Sequence, residues 1–85
     1  MATDRKRIYK AFGTVLREAR TGAALSQESF AFEAGIDRTY VSMLERGIRQ
    51  PSLTMLFVIA ETLKLHPTEL IEQTEKRLRT SKKKT

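Results

Sequence analysis

The chain has 85 residues, 40% of them apolar and 31% charged, with a net charge of +6 and no cysteine. That length suits one small domain without a separate ligand-sensing unit, and the composition excludes a disulfide scaffold or a thiolate metal site. No apolar run approaches the ~20 residues of a membrane span, and Met1 to Lys10 lacks the apolar stretch of a signal peptide, so a cytoplasmic protein away from membranes is expected.

The first helix is expected from about Arg5 to Arg20, because Ile8, Phe12, Val15, Leu16 and Ala19 recur at three- and four-residue steps. Thr21-Gly22 should end it, with Gly22 in the left-handed position after the helix. Ser26 is the next N-cap candidate, and Gln27 to Ala34 reads as a second helix that buries Phe30 and Ala31. Gly35 supplies the permissive backbone of a turn. Asp37 then caps a third helix ending near Glu45 or Arg46, which Gly47 stops. Leu25 to Pro51 is therefore a helix-turn-helix with an arginine-bearing second member. Ser52 caps a fourth helix, Leu53 to Leu63, which is apolar nearly all round and is expected to be the central one. His66-Pro67 opens a fifth, with proline at the tolerated first position and Leu70, Ile71, Thr74 and Leu78 along one side. The expected architecture is all-α: one five-helix domain over residues 5–79, followed by a basic flexible tail at 80–85.

Charge is distributed unevenly. Residues 1–10 carry +3 and residues 76–85 carry +6, whereas residues 11–75 carry −3. General basicity therefore cannot make the helical part a nucleic-acid ligand. A Lys/Arg-rich tail reads as a solvated segment or as a non-specific phosphate contact.

Individual positions say more. On a helical wheel the third helix turns Val41, Leu44 and Tyr40 toward the core, while Arg38, Thr39, Ser42, Met43 and Arg46 share an open face. Arg38, near the helix start, has the fork to reach guanine O6 and N7. Thr39 and Ser42 donate or accept, and Met43 or the Thr39 methyl suits a thymine methyl. Such a face, taken alone, also fits an ordinary solvated surface. Glu45 lies between the two arcs, and a half-buried carboxylate needs a partner, for which Arg20 is in reach. Two separate surface charges are the other reading. Gln27 opens the second helix, where free N–H groups and the dipole favour a phosphate. Arg46, Arg49, Gln50 and Ser52 in and around the following loop offer further donors, contacts that set register without reading sequence. His66 is a helix-start residue with no serine or acid arranged around it, so no catalytic site, metal or cofactor is implied.

These residues carry a resemblance. LSQES, the turn at Ala34-Gly35, the block Tyr40 to Gly47, and Pro51-Ser52-Leu53 are similar to the Xre/Cro/C1-type helix-turn-helix regulators. The run Asp37 to Ser42 looks most like the recognition helix of restriction–modification controller proteins. The resemblance implies a lambda-repressor-like fold and a homodimer on a (pseudo)palindromic site in double-stranded DNA. It also implies that Gln27 holds a phosphate, that Arg38, Thr39, Ser42 and Met43 face the major groove, and that Arg20 and Glu45 form an internal ion pair. The dimer interface is expected from Leu70, Ile71, Thr74 and Leu78, with Val58 added. His66 departs from the usual Ser/Thr cap, and the basic end lies outside the shared pattern. An antitoxin-type regulator with a protein partner is the alternative that uses the same fold.

Overall fold

A computed structural model describes residues 4–83, with side chains described through residue 80. Five helices follow in order: α1 Arg5–Gly22, α2 Gln27–Ala34, α3 Arg38–Glu45, α4 Leu53–Leu63 and α5 Pro67–Lys83. Four of them start on a side-chain cap. Asp4 accepts from the Arg7 N–H, Ser26 from Ser29, Asp37 from Thr39 and Ser52 from Met55. Each oxygen satisfies one of the donors a helix start leaves unpaired. α5 uses the complementary half of a capping box: the His66 N–H donates to the Glu69 carboxylate at 2.7 Å.

The core is assembled from one face of every helix. Phe12, Val15 and Leu16 of α1 meet Phe30, Val41, Leu44, Ile59, Leu63 and Leu70. α1 lies against α5 and α3, α2 against α3 and α4, and α4 against α5. At Gly13 the backbones of α1 and α3 come so close that an added Cβ would sit 2.5 Å from the Leu44 carbonyl oxygen. Among the described residues no helix is long and apolar enough to cross a membrane.

Several boundaries differ from the sequence reading. α1 runs to Gly22 itself, and the left-handed position falls to Ala24, with φ of 61°. The hydrogen bond from Leu25 N–H to Arg20 C=O closes that end, so the register of the chain reversal, and not residue preference, selects Ala24. α4 is not covered all round. Leu56, Ile59, Ala60 and Leu63 are buried, but Leu53 and Phe57 are 72% and 58% exposed. Four neighbouring helices of this length supply no layer for its outer stripe. α5 continues to Lys83, past the expected end of the helical domain at residue 79. No glycine or proline follows Pro67, and basic residues suit a helix C-terminus. Of the basic tail, Lys84 and Thr85 lie outside the described residues.

Candidate nucleic-acid interface

The α2–α3 unit is built around Gly35, which takes φ of 72° at the α2 C-cap. Its N–H donates to Phe32 and that of Ile36 to Ala31, closing the α2 end before Asp37 caps α3. Val41 and Leu44 are fully buried, which fixes the rotation of α3 about its axis. Arg38 and Thr39 are therefore exposed, and Ser42 and Met43 are half-buried beside them.

The open face is tied to the interior by a relay of polar side chains. Arg20 and Glu45 form the expected ion pair, with Nε to Oε2 at 2.5 Å and the second guanidinium nitrogen to Oε1 at 3.0 Å. Their side chains are only 9% and 4% exposed. Arg20 also donates to the Leu25 carbonyl at 2.7 Å, so α1, the α1–α2 loop and the end of α3 are clamped together. Gln27 donates from Nε2 to Glu45 Oε1 at 3.0 Å. Its own Oε1 accepts from an Arg38 guanidinium nitrogen at 3.3 Å. The relay thus runs from a buried arginine to the exposed one at the start of α3. Gln27 keeps one amide N–H free of these partners.

The other residues singled out in the sequence fall into two groups. Arg46 folds back along α3, its Nε donating to Ser42 Oγ at 3.2 Å. Arg49 lies over the Tyr40 ring, 6.0 Å from its centroid, within cation–π range. Both are exposed at the loop after α3. Ser52 uses its oxygen as a cap and keeps its O–H as a donor. Gln50, by contrast, turns inward. Its amide oxygen is buried without a hydrogen-bond partner, and the side chain lines an apolar groove with Ile8, Phe12, Leu53, Leu56 and Ile71. The loop's outward donors are then Arg46, Arg49 and Ser52.

The expected interface residues divide in the same way. Leu70 is 1% exposed and part of the protomer core, and Thr74 is buried with its O–H on the Leu70 carbonyl. Leu70 is taken up by the protomer's own core, while Thr74 borders the apolar groove lined by Leu53 and Ile71. Ile71, 53% exposed, and half-buried Leu78 remain at the surface. Val58 lies apart from them, in a shallow groove beside Glu33, Ala34 and Glu61. The apolar surface next to Ile71 is instead Leu53 and, one turn on, Phe57. The sequence signal for these two was present in the all-round apolar character of α4, which reads as depth when it marks an uncovered stripe.

A helix-turn-helix family model matches residues 16–70. Control protein C.BamHI of Bacillus amyloliquefaciens is 39% identical over 64 residues, 74% of this chain and 79% of that protein. Control protein C.MunI of a Mycoplasma species is 42% identical over 66 residues, 76% and 89% of the two chains. The crystal structure of the restriction–modification controller protein C.AhdI from Aeromonas hydrophila superposes with a TM-score of 0.71 at 47% identity, over 73% of this chain and 94% of that one. The controller protein C.Esp1396I, crystallised as a tetramer with its natural 35-base-pair operator, superposes with a TM-score of 0.75 at 25% identity, covering 84% and 93%. The chain belongs to the Xre/Cro/C1-type helix-turn-helix family, with restriction–modification controller proteins among its near relatives.

Proposed function

We propose that this protein is a homodimeric, sequence-specific DNA-binding regulator of the controller type, acting on a (pseudo)palindromic operator. The observation that carries the reading is the relay from Arg20 through Glu45 and Gln27 to Arg38, which places a guanidinium at the N-terminal end of the open face of α3. A solvated surface arginine has no need of such support. Arg38, Thr39, Ser42 and Met43 read base edges in the major groove, with Arg38 as the bidentate guanine donor. Phosphates are taken by the free N–H of Gln27 at the α2 start and by Arg46, Arg49 and the Ser52 O–H. Two protomers place their α3 helices about one helical turn of DNA, roughly 10 bp, apart or a multiple of it. The relatives named for restriction–modification control, one of them a tetramer on its operator, support this reading and point to the genes of such a system as the regulated ones.

Selection of bound sites from a random duplex pool tests it, followed by competition against unrelated DNA at several salt concentrations. Specific binders exceed non-specific binding by about 10³ or more, and a ratio below about tenfold would overturn the reading. In the same assay Arg38→Ala is expected to relax preference at one position of each half-site, at a cost of about 1–3 kcal/mol.

A further inference from the structure

α1 passes α3 through Gly13, where a Cβ would meet the carbonyl oxygens of Leu44 and Glu45 at 2.5 and 2.6 Å. One turn earlier, Lys10 lies under the loop after α3. A Cβ on Gly47 would be 3.0 Å from the Lys10 Cα. The direction in which Gly13 points is therefore the side of α1 that borders the end of α3 and its loop. On the α1 wheel, Lys6, Lys10 and Arg17 all fall within about 60° of that direction. All three are exposed, and no salt bridge among the described residues engages them. The acid of the same helix, Glu18, lies on another side and is paired with Arg77 of α5 at 2.8 Å. α1 thus places these three basic side chains on the side that borders α3, while Arg7 and Glu18 reach toward α5. Lys6 and Lys10 belong to the basic first ten residues, and Arg17 extends their charge into a region, residues 11–75, whose net charge is −3.

We propose that Lys6, Lys10 and Arg17 form a second phosphate-contacting strip on α1, continuous with Arg46 and Arg49 of the loop after α3. The strip rests on the DNA-binding reading above and extends it to a helix outside the helix-turn-helix. From Lys6 to Arg17 it runs about 16 Å along the helix axis. Successive phosphates of one DNA strand follow at ~3.4 Å of duplex axis, so the strip is long enough to pass several. It holds the backbone and reads no bases.

The test is the salt dependence of binding by the triple variant Lys6→Gln, Lys10→Gln, Arg17→Gln, on the selected operator duplex and on an unrelated duplex of equal length. Each lost phosphate contact lowers the slope of log K against log salt by about 0.9, so a drop of about 2–3 per bound protomer is expected on both duplexes. Base preference and Tm should stay as in the unsubstituted protein, which separates a phosphate role from support of the α3 C-terminus. A slope equal to that of the unsubstituted protein overturns the strip. Should the unsubstituted protein show no preference for the selected duplex, sequence-specific function fails, while the slope on the unrelated duplex still decides the strip. Should the triple variant not fold, the three single variants take its place, and three unchanged slopes overturn the proposal.

Discussion

Glu45 carries three donors on two oxygens: two from Arg20 and one from Gln27. That satisfaction is what makes a nearly buried carboxylate tolerable between α1 and α3. Its removal leaves the Arg20 guanidinium buried against nothing but the Leu25 carbonyl. Glu45→Ala is expected to lower stability by about 3–5 kcal/mol, read from urea unfolding. Glu45→Gln keeps the shape and one acceptor oxygen and should cost less. An equal cost would mean that charge, and not shape, holds the site. The ion pair was legible in the sequence because the wheel places Glu45 at the core edge, within reach of a long basic side chain. The double use of Gln27 was not. Its amide presents a donor and an acceptor in opposite directions, and the two groups that fill them sit at opposite ends of α3. Only the crossing of α2 over α3 brings both to it. The inward turn of Gln50 was equally hidden, since nothing in a short polar loop announces which side chain faces the groove.

At the level of helices, capping residues were the most legible feature. Ser26, Asp37 and Ser52 each stand one residue before a helix, and each accepts an N–H of its first turn. Helix ends set by chain reversal were less so. Ala24 and Lys64 both take φ of 61°, at places where glycine would cost less. Ala24→Gly is expected to raise stability by about 0.5–1 kcal/mol, the net of relieved left-handed strain and added backbone entropy. Gly13 shows the opposite case. It lies inside α1, where glycine weakens a helix, and its lack of a Cβ is what lets α3 approach. Gly13→Ala forces carbonyl oxygens apart and is expected to cost about 1–3 kcal/mol despite the better helix propensity. Thermal unfolding of the two variants side by side should show shifts of opposite sign.

For the molecule as a whole, the all-α architecture and the five helices followed directly from periodicity, while the outer surface did not. Leu70 and Ile71 are adjacent in sequence and serve different ends: one is sealed in the protomer, the other stands beside Leu53 at the rim of an apolar groove of about 270 Å³. Periodicity assigns a residue to an apolar stripe without saying whether the stripe is covered by the same chain or by another. Leu53, Phe57 and Ile71 form the patch that a second protomer would cover under the proposed function. Ile71→Glu is expected to leave the monomer folded, as its side chain is 53% exposed, and to shift sedimentation to the monomer at micromolar concentration. A dimer of undiminished stability would move the interface elsewhere. The Gln27–Arg38 contact has, finally, a kinetic consequence. A free arginine side chain carries about 2 kcal/mol of rotamer entropy, normally surrendered when it docks. Arg38 has given up part of that freedom already during folding. Encounters with a correct site then need fewer rotamer rearrangements before they become productive, and the rate of capture should lie closer to the diffusional limit than an untethered arginine allows.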